Sequence, residues 1–182
     1  MAKTPSVLDL NALGKPPGLP ALSVAKGQAL AEAASVCLEH QHHKSGKTLK
    51  VTGVKPVEYR LDWPAVTRQM KMTHNDLQEA TADGACAIAI SLARELTGLN
   101  VVERSRKGTG FDYWLGKDAG TLFQSKSRLE VSGILKGDKT TIERRLRQKL
   151  NQTKRSDDLN LPALVCVVEF GTPQAQLVKR EP

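Results

Sequence analysis

A chain of 182 residues that is 40% hydrophobic is long enough for one decorated domain and too apolar to be disordered. No apolar run approaches the roughly 18 residues of a membrane span, and residues 1–20 lack the apolar segment of a secretory signal. We therefore expect a cytoplasmic protein with no membrane partner. The formal net charge of +8 favours an encounter with a polyanion, with a merely solvated basic surface as the alternative.

The first part of the chain predicts an irregular arm followed by an accessory unit. Residues 1–20 contain four prolines and two glycines, which is typical of an irregular N-terminal arm. Within residues 21–70, apolar side chains at helical spacing predict a helix over about 22–43. Alternating apolar and polar residues then predict two strands, 47–54 and 57–62. We expect this helix and strand pair to pack as an accessory layer.

Residues 71–182 predict a larger α/β core. A helix is expected over 74–97, with Thr73 or Asn75 as its N-cap. The pattern then predicts strands over 100–104, 111–115 and 126–136, a basic helix over 139–155 capped by Asp138, a buried strand over 162–170 and a short edge strand over 175–179. This order of elements indicates a mixed central sheet with helices on both faces.

Two strands of this core each carry a carboxylate among apolar residues. Asp112 lies on the second strand, and alternation places Arg128, Glu130 and Ser132 on one face of the third. A buried charge needs a partner, and two neighbouring carboxylates repel each other. A divalent cation between them is one solution. The other is that each carboxylate pairs with an arginine, such as Arg104 or Arg128.

The order helix–strand–strand–strand–helix–strand, with Asp112 on the second strand and Glu130 on the third, resembles the PD-(D/E)XK nuclease superfamily over residues 74–170. The resemblance implies a restriction-endonuclease-like αβββαβ core, with the N-terminal helix and strand pair as an extension. It also implies Mg²⁺- or Mn²⁺-dependent hydrolysis of phosphodiester bonds. Asp112 and Glu130 would hold the ion, with the Val131 carbonyl as a further ligand. Glu79 would reach it from the first helix through water, or hold a second ion.

Ser132 stands where the family has its motif lysine. Serine carries no charge, so it cannot supply the electrostatic part of that lysine's role. One replacement is Lys126, on the same strand face as Glu130 but roughly 13 Å away along an extended strand. The other replacement is a donor from the following helix, for which the candidates are Gln148, Lys149 and Gln152.

Positive charge is concentrated beside these carboxylates. Residues 139–155 hold seven lysines and arginines against one acid, Glu143, a net charge of +6. We expect this helix and the basic turn before Asp112 to bind the phosphate backbone of nucleic acid, DNA rather than RNA. The predicted contacts are Arg104, Arg106, Lys107, Arg144, Arg145, Arg147, Gln148 and Lys149. No recognition helix for base reading is predicted.

Three functions follow from these features. The first is a metal-dependent nuclease, in restriction, repair or phage defence, which the joint presence of Glu79, Asp112 and Glu130 favours. The second is a catalytically inactive nuclease-fold subunit that binds nucleic acid within a larger complex, which Ser132 favours. The third is an interaction protein whose acids form plain ion pairs. The resemblance also implies a homodimer or a subunit of a larger complex, because many relatives of this fold act in one of these forms.

Overall fold

Residues 5–117 and 126–182, which a computed structural model describes, build an α/β fold around one mixed sheet of eight strands. The strands are β1 (Ser6–Asp9), β2 (Lys47–Gly53), β3 (Val57–Asp62), β4 (Asn100–Arg104), β5 (Tyr113–Gly116), β6 (Ser127–Ile134), β7 (Ala163–Glu169) and β8 (Gln174–Arg180). Their order across the sheet is β1-β3-β2-β8-β7-β6-β5-β4. The sheet is mixed because β1–β3, β2–β8 and β6–β7 are parallel pairs.

The helices are α1 (Val24–His40), α2 (Arg68–Thr73), α3 (Leu77–Thr97) and α4 (Lys139–Gln152), with 3₁₀ turns at Leu10–Gly14 and Thr153–Leu159. Asp138 caps α4 as predicted, since its Oδ1 accepts the Thr141 N–H at 2.8 Å. The predicted cap of α3 was wrong. Asp76 caps that helix by accepting two backbone N–H groups, because the preceding residues form α2 as a separate turn of helix.

Helices cover both faces of the sheet. On one face, α1 and α3 pack together and share the main hydrophobic core with apolar side chains of β2, β3, β6 and β7. On the other face, α4 buries Ile142 against Ile134 and Val167. The predicted alternation along β6 is confirmed, because Leu129 and Val131 belong to the main core while Ile134 meets α4. No helix among the described residues has the length and apolarity to cross a membrane.

The N-terminal part of the chain belongs to the same sheet as the rest. Ser6–Asp9, within the predicted irregular arm, forms β1 because it pairs in parallel with β3 and buries Leu8. The predicted accessory strands β2 and β3 end close to their expected bounds, yet they extend the central sheet through β8 instead of forming a separate layer. The predicted edge position of the last strand was wrong, since β8 lies between β2 and β7.

A notch in the sheet positions the candidate site. β5 pairs with β6 only from Leu115–Ser127 to Tyr113–Leu129, whereas β7 follows β6 as far as Ile134. Within the part of the chain that the structure describes, the second half of β6 therefore has no strand on its β5 side. Asp112, just before β5, closes the start of this gap, because its Oδ2 accepts the Val131 N–H at 2.9 Å.

Candidate active site

Asp112 and Glu130 lie together at the notch between β5 and β6. They border a cavity of about 830 Å³, here called the main cavity, between the start of α3 and the inner face of α4. Glu130 is buried, with 2% of its surface exposed, and Asp112 is half-buried. The structure thus brings together the two carboxylates that the strand pattern singled out.

Glu130 is held by two side chains of α4. Lys149 Nζ donates to Glu130 Oε1 at 2.6 Å, and Gln152 Nε2 donates to the same oxygen at 3.0 Å. Burial, followed by repulsion from the Asp112 carboxylate, raises the pKa of Glu130 to about 7, although Lys149 acts in the opposite direction. Glu130 therefore changes charge near neutral pH, as functional carboxylates in clefts often do.

Asp112 has a backbone partner and a weak ion pair. Beyond the bond from Val131 N–H, its Oδ1 lies 3.4 Å from Arg104 Nη2. The Arg104 side chain is 57% exposed and stacks its guanidinium 4.5 Å from the centre of the Tyr113 ring. An exposed pair at this distance contributes little to stability, so Arg104 is available to a bound anion.

The face of β6 that is directed at α4 is polar from Arg128 to Ser132, and each of these polar side chains has a partner from α4 or the turn after it. Arg128 is fully buried and donates to Ser156 Oγ at 2.7 Å and to the Thr153 carbonyl at 2.9 Å. Ser132 accepts from Arg145 Nη1 at 2.8 Å. Ser132, which was expected to stand in place of a motif lysine, is therefore a hydroxyl that holds an arginine.

Of the two carboxylates, Asp112 pairs with an arginine and Glu130 does not. Arg104 pairs with Asp112, as the alternative interpretation of the sequence proposed. Glu130 instead pairs with Lys149, and Arg128 is occupied by Asp157 at 3.3 Å.

Lys126 does not reach this cavity. It is exposed and directly precedes β6, its backbone N–H donates to the Leu115 carbonyl at 2.7 Å, and it borders neither cavity beside the carboxylates. Of the candidate replacements for the motif lysine, Lys149 is the one whose ammonium contacts Glu130. Gln148 is exposed and lies outside the cavity.

Glu79 is also outside the main cavity. It is exposed on the first turn of α3 and borders a separate small recess of about 170 Å³. Asp83, one turn later, borders the main cavity and forms an ion pair with Lys26 at 3.0 Å. Residues four apart share a helix face, so Asp83 lies on the same side of α3 as Glu79, the acid that the resemblance implied.

Oxygen donors around the notch fit a hard divalent ion. Mg²⁺ is commonly bound through one or two carboxylates together with water and substrate phosphates, and Asp112 and Glu130 supply two such groups. Within residues 5–117 and 126–182, no group of three or more His, Cys, Asp or Glu side chains is placed to hold a metal. Asp112 and Glu130 are therefore the carboxylates at the notch that could hold such an ion.

Basic residues border the carboxylates on a second side. The turn between β4 and β5, together with Glu130 and Gln152, lines a cavity of about 430 Å³, here called the hairpin cavity. Arg106 and Lys107 line it, and Arg145 and Lys149 line the main cavity. The other predicted contacts on α4 are exposed and border neither cavity: Arg144, Arg147 and Gln148.

Together these features define an α/β protein with an acid–lysine cleft at a notch in a mixed sheet. No family model, no curated protein and no solved structure matches the chain.

Proposed function

We propose that this chain is a metal-dependent nuclease that hydrolyses phosphodiester bonds in DNA, acting in restriction, repair or phage defence. The observation that carries the proposal is the 2.6 Å contact between Lys149 Nζ and Glu130, beside Asp112, in a cleft bordered by arginines. We further propose that α3, β4, β5, β6, α4 and β7 are the αβββαβ core of a restriction-endonuclease-like fold. The chain order of these elements supports that assignment.

In this proposal Asp112, Glu130 and the Val131 carbonyl hold Mg²⁺ or Mn²⁺. The bound ion would lower the pKa of a water molecule and offset charge on the scissile phosphate. Lys149 supplies the positive charge that Ser132 lacks, next to the carboxylate that holds the ion. A fixed ammonium in a partly buried cleft stabilises developing phosphate charge more strongly than one in water.

The neighbouring side chains hold these groups in position. Gln152 shares Glu130 Oε1 with Lys149, which restricts the carboxylate to one orientation. Arg145 is held by Ser132 at the wall of the main cavity, and Arg104 lies on the other side of Asp112. Both guanidiniums can pair with phosphate oxygens through two parallel hydrogen bonds.

A second candidate is a catalytically inactive subunit that binds nucleic acid. The observation that favours it is that Lys149 and Arg104 already offset the two carboxylates without an ion. In that case the cleft would bind phosphate through its cations, and the acids would hold those cations in place.

Cleavage assays separate the two candidates. Labelled DNA and RNA, single- and double-stranded, are incubated with Mg²⁺ or Mn²⁺ and the wild type, Asp112→Asn, Glu130→Gln or Lys149→Ala. Lys154→Ala, an exposed lysine outside both cavities, is the matched control. We expect cleavage by the wild type and the control only. Binding that is salt-sensitive and unaccompanied by cleavage would support the inactive subunit instead.

A further inference from the structure

The helix α2 is a short element that packs against α1 and leads into α3. It spans six residues, and among these, all of which the structure describes, Met70 is the only buried side chain. A segment with so few buried contacts has low local stability. Its attachment to α1 therefore depends strongly on the polar contacts at its C-terminal end.

Two charged contacts attach this end of α2 to one face of α1. Lys71 Nζ lies 2.9 Å from Glu39 Oε1, and His74 Nε2 lies 3.7 Å from Glu32 Oε2. The two bases are one helical turn apart and the two acids are two turns apart, so each pair joins matching faces. Lysine is charged throughout the neutral range, whereas an imidazole changes its charge between pH 5 and 8. One contact is therefore permanent and the other depends on a proton.

Charged groups from three elements surround His74. From α1, the Glu32 carboxylate faces its Nε2. His74 also borders a cavity of about 600 Å³, whose other charged or titratable residues are Glu39, His40, His42 and Lys71. It borders a small recess at the start of α3 as well, where the acids are Asp76, Glu79 and Asp83. Among the described acids, Glu32 forms the ion-pair contact with the ring, so it is the acceptor that a proton on Nε2 would meet.

The neutral form of this contact leaves a buried polar atom unsatisfied. His74 Nε2 is buried and has no hydrogen-bond partner within the described part of the chain. Such an atom costs free energy, which weakens the attachment of the segment that carries it. Protonation turns the same atom into a charged donor facing Glu32. Charge-assisted hydrogen bonds of this kind are about 2.7–2.9 Å long, so the gap should close by roughly 1 Å.

We propose that Arg68–His74, here called the strap, is a proton-dependent attachment between α1 and α3. Protonated His74 binds Glu32 and holds the strap on α1, and loss of the proton loosens this end while Lys71 stays paired. Leu77, three residues later, lines both the cavity beside His74 and the main cavity. The strap therefore connects a proton-dependent contact to the border of the carboxylate cleft. The proposal does not depend on the nuclease function, because it concerns contacts of α1, α2 and the start of α3.

Double-mutant cycles test whether the contact depends on protonation. Urea unfolding is measured at pH 5.5 and pH 8 for the wild type, His74→Gln, Glu32→Gln and the double variant. The coupling of the two residues should change the unfolding equilibrium constant about two- to fivefold at pH 5.5 and less than twofold at pH 8. Lys71→Gln and Glu39→Gln form the matched control cycle, whose coupling should be the same at both pH values. A coupling of His74 to Glu32 that does not change with pH would overturn the proposal.

Amide hydrogen exchange tests the strap directly. Protection factors, which correct for the intrinsic pH dependence of exchange, are measured for the strap amides at pH 5.5 and pH 8. In the wild type they should fall at least about twofold between these values, and in His74→Gln they should stay constant. His40→Gln is the matched control, because this exposed histidine borders the same cavity, and it should behave as the wild type. Constant protection in the wild type, or a fall that persists in His74→Gln, would overturn the proposal.

Discussion

Lys149 on α4 and Glu130 on β6 form the shortest lysine–carboxylate contact among the described residues, 2.6 Å from Nζ to Oε1. The two residues come from different layers of the fold, so this contact depends on how α4 packs against the sheet. It places a cation beside the carboxylate pair although β6 itself carries a serine at the nearby position. The contact therefore gives the cleft a charged donor from α4, next to carboxylates that β6 and the start of β5 supply.

Replacing Lys149 by alanine should lower the cleavage rate by about 10²- to 10³-fold, the usual effect of losing one fixed donor to a developing charge. The pKa of Glu130 should also rise further, because Lys149 is the group that lowers it. Single-turnover rates measured between pH 6 and 9 would show both effects, as a lower plateau and a profile moved to higher pH. Lys154→Ala should match the wild type in both respects. A Lys149→Ala profile that is unchanged in shape would contradict the assigned contact.

The free energy of unfolding of the Glu130→Gln variant should increase, relative to that of the wild type, as the pH rises. The folded-state pKa of Glu130 is about 7 against an ordinary value of 4.5, so the folded wild type binds more protons than the unfolded chain between these values. The stability of the wild type therefore falls as pH rises through this window, whereas the glutamine side chain does not titrate. From pH 4.5 to pH 8, the free energy of unfolding of the variant should therefore increase by roughly 3 kcal/mol relative to that of the wild type.

Urea unfolding at closely spaced pH values measures this difference. Glu143→Gln, on the exposed face of α4, is the control and should show no comparable trend. A constant difference between wild type and Glu130→Gln across the range would show that the carboxylate keeps its ordinary pKa.

Mg²⁺ should raise the melting temperature of the wild type at pH 8 and much less at pH 5.5. A metal binds carboxylates in their deprotonated form, and the raised pKa of Glu130 makes that form scarce below neutral pH. At a free ion concentration of about 100 times Kd, the expected stabilisation is about 2.7 kcal/mol. Differential scanning fluorimetry, with Asp112→Asn as the variant that loses the effect, gives the measurement without nucleic acid or catalysis. Equal shifts at both pH values would indicate an ion bound elsewhere.

Replacing Arg128 by methionine should destabilise the protein by about 2–4 kcal/mol, because several buried acceptors would lose their hydrogen-bond donor. The Arg128 guanidinium is fully buried and donates to the Leu161 carbonyl at 2.6 Å as well as to Thr153 and Ser156. The same substitution at exposed Arg94 should change stability by less than about 0.5 kcal/mol. Chemical unfolding of the two variants compares them directly, and similar values would exclude a structural role for the buried guanidinium.

Local patterns explain the part of the fold that could be predicted. Alternation gave β2 and β3 to within a residue and the two faces of β6, because side chains of a strand point alternately to opposite sides. The cap of α4 was predictable for a similar reason, since Asp138 precedes a helical pattern directly. Such signals depend only on neighbouring residues.

Long-range pairing explains what could not be predicted. β1 is short and proline-flanked, and it is a strand because β3 pairs with it from far along the chain. The interior position of β8 also depends on partners that no local pattern specifies. In the candidate site, the resemblance gave Lys149 only as one of several donors and named Glu79, while Asp83 was not among the candidates. The contact of Lys149 and the position of Asp83 depend on how α4 and α3 pack around the notch.

The interior position of β8 has a consequence for biosynthesis. Within the described sheet, β1, β3 and β2 are joined to the strands that follow α3 only through β8. A ribosome releases β2 more than 100 residues before Gln174–Arg180, so the edge of β2 that will receive β8 stays unpaired until β8 has been synthesised. An unpaired strand edge is a template for aggregation, and a nascent chain stalled before Gln174 would present two such edges, one on β2 and one on β7.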